Sequence, residues 1–209
     1  MIIAVDGPTA SGKGTIAKAL AQHFGLPHLD TGLLYRAVGR QVQKSGGGPD
    51  NLGDALAATA FPESVLDDPN LRSEEIGGWA SRVSVHPAVR QMLFERQRAF
   101  ATQPGGAVLD GRDIGTVIAP DADVKLFVTA SVESRAKRRH AEMEARGETN
   151  TLAGIEEDLR LRDERDRTRT QAPLIPADDA FVLDTSALDK DAAIAAAIAA
   201  VEGAADRQD

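Results

Sequence analysis

Short apolar runs alternate with longer segments whose apolar residues recur every three or four positions, and this alternation is the clearest pattern in the chain. The runs Ile2–Asp6, Ala107–Asp110, Val124–Thr129 and Phe181–Asp184 predict buried strands. Pro27–Asp30 is too short to assign from its pattern alone. Strands that alternate with helices are typical of a parallel sheet with crossover connections. The sequence therefore predicts an α/β fold.

The segments between the runs have helical periodicity and recognisable capping residues. Helices are predicted at Lys13–Phe24, Thr31 to about Lys44, Asn51–Ala60, Pro87 to about Gln103, Ser131–Arg146 and Ile155–Arg169, with a last one that begins at Asp189. Thr31 is the predicted N-cap of the second helix, and Gly25 and Gly147 are predicted to end the helices before them. In the helix that begins at Pro87, the predicted apolar face is formed by Val89, Met92, Leu93 and Phe100. Residues 60–79 have no readable period.

A glycine-rich segment lies between the first predicted strand and the first predicted helix. It matches the pattern Gly-x₄-Gly-Lys-Ser/Thr at Gly7, Gly12 and Lys13. The hydroxyl residue of the pattern comes one position later than usual, at Thr15, because Gly14 follows the lysine. In such a loop, backbone N–H groups surround a di- or triphosphate, the lysine reaches the β- and γ-phosphates, and the hydroxyl binds Mg²⁺ directly. The predicted nucleotide-binding residues are Gly7, Pro8, Thr9, Ala10, Ser11, Gly12, Lys13, Gly14 and Thr15.

Composition restricts the classes of function. The 209 residues fit one domain, and the absence of cysteine excludes disulfides, thiolate metal sites and cysteine nucleophiles. Lys and Arg number 24 against 32 Asp and Glu, and a net charge of −8 argues against general nucleic-acid binding. No run approaches the roughly 18 apolar residues of a membrane span. We expect a cytoplasmic monomer without nucleic-acid or membrane partners.

Asp110-Gly-Arg-Asp113 follows a predicted strand and places two carboxylates around an arginine. Arg112 can bind a phosphate through paired hydrogen bonds, and Asp113 can accept from a base amino group or a ribose hydroxyl. Asp110 can orient a water molecule bound to Mg²⁺. The alternative is a solvated turn in which the three side chains pair with one another. Because ligands of parallel sheets bind at the carboxyl ends of strands, the nearby phosphate loop favours a binding site.

Arginines are concentrated between Arg135 and Arg169. In the second helix of this region, Arg162, Arg165 and Arg169 fall on one face with Asp166 between them. Pairs such as Asp158/Arg162 and Asp163/Arg167 are equally typical of a solvated helix face. Phosphoryl transfer spreads negative charge over several oxygens and needs cations from several directions, which favours a functional role. The loop after Gly147 is then expected to be a mobile lid.

Two further sets of polar residues are less specific. A helix that begins at Thr31 and is followed by Arg36 can bind a second anion, although an ordinary capped helix gives the same pattern. The four histidines have no metal-ligand spacing. We interpret His28, beside a helix end, as structural.

With these segments together, the chain resembles the bacterial cytidylate kinases, P-loop enzymes of the nucleoside monophosphate kinase family that make CDP from CMP and ATP. The matching blocks are Ile3–Thr15, Leu29–Arg36, Ala80–Val83, Val89–Arg90, Gln97–Arg98, Asp110–Thr116, Pro120–Ala122, Arg135 with Arg138 and Arg139, Arg162–Arg169, Ala172–Pro176 and Val182–Asp184. Asp-Gly-Arg-Asp-Ile-Gly-Thr and Arg-Asp-x-Arg-Asp-x-x-Arg are the most specific of them.

The resemblance implies a fold and an activity. It implies one P-loop kinase domain over residues 1–209, with a central parallel five-stranded sheet flanked by helices, a monophosphate-binding subdomain at about 31–103 and a lid at about 139–165. The implied reaction transfers the γ-phosphoryl group of ATP to CMP or dCMP with Mg²⁺. A kinase for another nucleoside monophosphate or small phosphate acceptor is the alternative. A GTP-dependent switch protein is disfavoured because the sequence lacks an Asn-Lys-x-Asp motif.

The resemblance also assigns roles to residues that match the family's blocks. Lys13, Arg138, Arg139 and Arg169 would surround the transferred phosphoryl group; Thr31, Arg36 and Arg90 would hold the acceptor phosphate; Ser81, Arg112, Asp113, Arg162 and Asp166 would bind the nucleoside. Bacterial members typically carry a strand-rich insert before the Ala-Ser block. Ala60–Gly78 is too short for that insert.

Overall fold

The computed structural model of the protein describes residues 1–205. Two compact units are present: one contains Met1–Leu29 and the chain from Ala101 onward, and the other is Asp30–Phe100. Residues 206–209, which the expected single-domain range includes, lie outside the described residues. The first unit holds the phosphate loop and both arginine-rich helices.

Within residues 1–205 the strands are β1 (Ile2–Asp6), β2 (His28–Asp30), β3 (Ala107–Gly111), β4 (Val124–Thr129) and β5 (Phe181–Asp184). The helices are α1 (Lys13–Phe24), α2 (Thr31–Lys44), α3 (Leu52–Ala57), α4 (Glu74–Val83), α5 (Pro87–Ala101), α6 (Val132–Glu144), α7 (Leu152–Arg167) and α8 (Lys190–Ala205). Short 3₁₀ turns cover Glu63–Asp67 and Pro69–Arg72, and a π-helical turn covers Ile114–Ile118.

The strands form one sheet in the order β2-β3-β1-β4-β5. Strand β1 lies between β3 and β4 and is parallel to both, and β5 runs parallel to β4. Asp6 is in register with Gly111 on one side and with Phe127 on the other. Parallel strands end at the same edge, so the segments that follow β1, β3 and β4 emerge together. The predicted α/β fold with a five-stranded parallel sheet is confirmed.

The core of the first unit lies between the sheet and two helices. Ile3, Val5, Val108, Leu126 and Val128 of the sheet are buried against Ile16 and Leu20 of α1 and against Ala197 and Val201 of α8. Alanines let α8 approach closely, because a short side chain keeps the helix axis near its neighbours. Within the described part of the chain, no helix is long and apolar enough to cross a membrane.

The second unit is built on the contact between α2 and α4. A Cβ atom at Gly39 would lie 2.9 Å from Cβ of Trp79, so this close approach of the two helices requires glycine. Leu34 and Val38 of α2 and Ile76 of α4 are all buried. Buried apolar surface between α2 and α4 therefore holds this unit together.

Several boundaries differ from the sequence predictions. Asp30, not Thr31, occupies the N-cap position of α2, and Thr31 is the first helical residue. Met92 was predicted on the apolar face of α5, but it is 59% exposed. Helix α7 begins at Leu152 and ends at Arg167, so Arg169 lies beyond it. Most of residues 60–79 forms two single 3₁₀ turns and the start of α4. The side chain of Ser73 caps α4 by accepting a hydrogen bond from the backbone N–H of Ile76. One turn is too short to display a period.

Candidate active site

The phosphate loop connects β1 directly to α1. A Cβ atom at Gly7 would lie 2.0 Å from the backbone oxygen of Val128, so only glycine fits where the loop crosses β4. Ala10 is a non-glycine residue in the left-handed region, with φ of 61°. Lys13 is the first residue of α1, and the N-terminus of a helix attracts anions. This local geometry is that of an anion-binding loop.

Three segments that are far apart in sequence are joined by the side chain of Arg112. Nη2 of Arg112 donates to Oγ1 of Thr9 at 2.6 Å, and Nε of Arg112 donates to Oδ2 of Asp166 at 3.0 Å. Arg112 follows β3, whereas Asp166 belongs to α7. Burial raises the pKa of Asp166, but the positive charges of Arg112, Arg162 and Arg169 outweigh that effect and leave its pKa below the usual range. A charged, buried carboxylate therefore orients Arg112 beside the loop.

Asp110 has a partner that the sequence did not predict. Nε2 of His28 lies 2.7 Å from Oδ1 of Asp110, whose side chain is buried. Asp110 and Arg112 of the turn thus each have a partner outside it, His28 and Asp166 respectively. The pairing of His28 was missed because its partner is 82 residues away.

The side chains expected to hold Mg²⁺ fit that ion in chemistry. Oδ2 of Asp110 lies 3.6 Å from the position that a Cβ atom on Gly14 would occupy, immediately before Thr15. Carboxylate and hydroxyl oxygens are ligands that Mg²⁺ accepts, and the ion commonly binds few protein groups and completes its shell with water and phosphate. Residues 1–205 contain no cluster of three or more His, Cys, Asp or Glu side chains suited to a metal.

Asp6, at the end of β1, holds the turn that follows β3. Its carboxylate accepts hydrogen bonds from the backbone N–H groups of Ile114 and Gly115, both at 2.8 Å. These bonds hold the turn that begins beside Asp113. Burial raises the pKa of Asp6 to about 7; the two N–H groups and Lys13 act in the opposite direction, and Asp113 raises it further.

The raised pKa of Asp6 predicts a pH dependence of folding. The carboxyl stays protonated up to about pH 7 when folded, but only to about 3.8 when unfolded, so its contribution to stability is lost as pH rises through this window. At 1.36 kcal/mol per pKa unit, the upper bound is about 4 kcal/mol. Urea unfolding at pH 4.5 and 7.5 should show wild type losing more stability than Asp6→Asn. Parallel pH profiles of the two proteins would contradict this assignment.

Arg135 and Asp163 form a buried ion pair between α6 and α7. Nη1 of Arg135 donates to Oδ1 of Asp163 at 3.1 Å and to the backbone oxygen of Thr9 at 3.2 Å. Nε of Arg135 donates to the backbone oxygen of Ala130 at 3.0 Å. The alternative of a solvated pair between Asp163 and Arg167 does not hold for Asp163, which is buried and pairs with Arg135 of α6. Arg135 joins both helices to the loop.

The three arginines assigned to phosphoryl transfer differ in their surroundings. Arg138 donates to Oγ1 of Thr185 at 3.0 Å and also contacts the backbone oxygens of Thr185 and Leu188. Arg139 donates to Glu142 at 3.0 Å. Arg169 is buried, and its Nε donates to the backbone oxygen of Asp166 at 3.2 Å. Arg138 and Arg169 are thus held by backbone groups of the first unit, whereas Arg139 pairs with a neighbour on its own helix.

The second unit contains four of the predicted residues, on α2, α4 and α5. Thr31, Ser81 and Arg90 are buried, and the guanidinium of Arg90 lies 5.5 Å from the centre of the Tyr35 ring. Nη1 of Arg36 donates to the backbone oxygens of Leu71 and Ser73, at 2.6 and 2.9 Å. The hydroxyls of Thr31 and Ser81 and the guanidinium groups of Arg36 and Arg90 are of the kinds that can bind an anionic nucleotide.

Comparison with known proteins agrees with this geometry. A family model described as cytidylate kinase matches residues 3–203. A cytidylate kinase of Xanthobacter autotrophicus is 56% identical over 202 residues, which are 97% of each chain. One of Methylocella silvestris is 56% identical over 210 residues, covering 99% of this chain and 96% of that one.

Among solved structures, an uncharacterised protein from Eubacterium ventriosum has a TM-score of 0.56 at 16% identity, covering 97% of this chain and 98% of its own, which is a likeness of fold. The family assignment rests on the sequence matches, which extend over nearly the whole chain and include the phosphate loop, the Asp110–Thr116 block and α7. The chain belongs to the cytidylate kinase family.

Proposed function

We propose that the protein transfers the γ-phosphoryl group of ATP to CMP and dCMP, giving CDP or dCDP and ADP. Membership of the family implies ATP as co-substrate. The observation that supports the proposal most directly is the meeting of Thr9, Arg112 and Asp166 at the phosphate loop, because it joins the nucleotide-binding segment to both blocks that distinguish this family.

In the proposed reaction, an oxygen of the CMP phosphate attacks the γ-phosphorus, and the bond to the bridging oxygen breaks to release ADP. The attacking oxygen is already anionic, so no side chain need act as a strong base. The loop binds the triphosphate, and Lys13, Arg138, Arg139 and Arg169 are proposed to offset the negative charge of the transferred group. Positioning and charge stabilisation supply most of the rate acceleration in such reactions.

Eight residues are proposed to bind the acceptor. The unit Asp30–Phe100 is proposed as the monophosphate-binding subdomain, where Thr31, Arg36 and Arg90 bind the phosphate and Ser81 the nucleoside. In the first unit, Arg112, Asp113, Arg162 and Asp166 are proposed to bind the cytosine and sugar. The proposed lid, about 139–165, includes the end of α6 and most of α7.

Mg²⁺ is proposed to be held by Thr15 directly and by Asp110 through water. Bound there with the nucleotide, the ion would supply positive charge to the phosphate oxygens. His28, which bonds to Asp110, would keep the carboxylate in place. We also propose that the protein acts as a monomer in the cytoplasm.

Asp113→Ala is expected to raise the KM for CMP at least tenfold and to leave the KM for ATP within twofold of wild type. The reason is that a buried acceptor for nucleoside donors is lost, whereas the phosphate loop is unchanged. Steady-state kinetics with either nucleotide varied would measure both constants. Asp178→Ala, an exposed carboxylate of the same unit, is the matched control. An equal loss of affinity for ATP would refute this division of roles.

The proposed function is tested by ADP formation from ATP and Mg²⁺ with CMP, dCMP, UMP, AMP or GMP as acceptor. Turnover with CMP and dCMP should far exceed turnover with the other three. A preference for another monophosphate would keep the kinase but reject the proposed base-reading residues. No turnover with any acceptor would reject the proposal.

A further inference from the structure

Thr185, directly after β5, bonds to the phosphate loop from outside the proposed nucleotide-binding residues. It is 2% exposed, and its Oγ1 lies 2.9 Å from the backbone oxygen of Ser11 and 3.2 Å from that of Thr129. A hydroxyl has one hydrogen to donate, and the Ser11 oxygen is the nearer acceptor. The same hydroxyl accepts from Nη1 of Arg138 at 3.0 Å.

This hydrogen bond determines the direction of a loop N–H group. Ser11 and Gly12 share one peptide unit, and the described residues contain no cis peptide bond. In a trans peptide the C=O and N–H groups point in opposite directions. Holding the Ser11 oxygen toward Thr185 therefore directs the Gly12 N–H away from Thr185. An anion-binding loop needs this arrangement, because carbonyl oxygens repel phosphate and N–H groups attract it.

A second peptide of the loop is held in the same way. The backbone oxygen of Thr9 accepts from Nη1 of Arg135 at 3.2 Å, which orients the N–H of Ala10 in the opposite direction. Ala10 has a φ of 61°, a left-handed conformation that a non-glycine residue adopts only when its surroundings impose it. The Thr9–Ala10 and Ser11–Gly12 peptides are thus each held by a buried side chain that donates to the carbonyl oxygen.

We propose that Thr185 is a positioning residue for the phosphates of ATP, because its hydroxyl fixes the Ser11–Gly12 peptide with the N–H available to the nucleotide. The proposal rests on the proposed function only in that the loop binds ATP or ADP. Thr185 acts through the loop and does not itself touch the nucleotide. Arg138 keeps two other acceptors, the backbone oxygens of Thr185 and Leu188, so removing the hydroxyl leaves Arg138 in place.

The test compares Thr185→Val, which removes the hydroxyl from a side chain of similar shape, with Thr185→Ser, which keeps it. ADP binding is measured by titration calorimetry without CMP. Thr185→Val should weaken ADP binding five- to tenfold, in line with the loss of one buried hydrogen bond. Thr185→Ser should bind within twofold of wild type. Thr59→Val, which removes an exposed hydroxyl that bonds to a backbone oxygen of the second unit, should not change ADP binding.

Thermal unfolding of each variant separates positioning from a role in stability alone. A lower unfolding midpoint for Thr185→Val with unchanged ADP affinity would overturn the proposal, as would equal losses of affinity in the valine and serine variants. Absence of ADP binding by the wild-type protein would overturn it as well. If the wild type binds ADP and the variants behave as expected, but CMP is not phosphorylated, the positioning role stands and the proposed activity fails.

Discussion

Lys13→Ala is expected to lower kcat/KM about 1,000-fold for CMP and dCMP alike. Lys13 is the first residue of α1, and the loop before it is proposed to hold the β- and γ-phosphates. Charge placed at the transferred group stabilises the transition state, and a 1,000-fold loss corresponds to about 4 kcal/mol. Because Lys13 also lowers the pKa of Asp6, its removal should shift that buried carboxyl further toward the protonated form.

Steady-state kinetics at saturating and limiting ATP would measure the effect. Lys18→Ala is the matched control, since Lys18 is exposed on the same helix. Unfolding midpoints of both variants should stay close to wild type, because neither change leaves a cavity in the core. If Lys13→Ala kept more than a tenth of the wild-type kcat/KM, the lysine would not stabilise the transferred phosphoryl group.

Asp163→Asn is expected to lower the free energy of unfolding by about 3 to 5 kcal/mol. The side chains of Arg135 and Asp163 are only 2% and 8% exposed. Removing one partner leaves an uncompensated charge in a site that water does not reach, which costs far more than the loss of an exposed pair. The remaining acceptors of Arg135, the backbone oxygens of Ala130 and Thr9, are neutral and replace the lost charge only in part.

Urea unfolding at neutral pH would measure this change. Glu156→Gln removes one partner of an exposed pair with Arg160 on the same helix and should cost less than about 1 kcal/mol. The double variant Arg135→Met with Asp163→Leu should recover much of the lost stability, because it removes both buried charges. Equal small losses in Asp163→Asn and Glu156→Gln would show that the buried pair contributes no more than a surface pair.

Features that depend on neighbouring residues could be predicted from the sequence. The bounds of β1, α1, β4 and β5 agree with prediction, because each apolar run or helical period lies within a few turns of chain. Gly25 ends α1 with φ of 65°, as its position after the last periodic residue indicates. The phosphate loop is of the same kind, since its glycines, lysine and hydroxyl occupy nine consecutive residues.

The length and burial of other elements depend on what packs against them. Arg169 continues the periodicity of α7 in the sequence, but the helix ends at Arg167. The side chain of Arg169 donates instead to the backbone oxygen of Asp166. Met92 has the right spacing for a core position and is nevertheless exposed, because periodicity identifies a helix but not which of its apolar residues a neighbour covers. No local signal distinguishes these cases.

Three features could be predicted from the amino-acid sequence: the alternation of parallel strands with helices, the nucleotide-binding loop, and the two charged blocks that identify the family. The side-chain pairs could be identified only in the folded protein, where Arg112 bonds to Asp166, Asp110 to His28, and Arg135 to Asp163. The sequence around an aspartate in a charged helix is the same whether its side chain faces water or an arginine of another element. Burial selects between these outcomes, because a charge removed from water must find its partner wherever the fold brings one within reach.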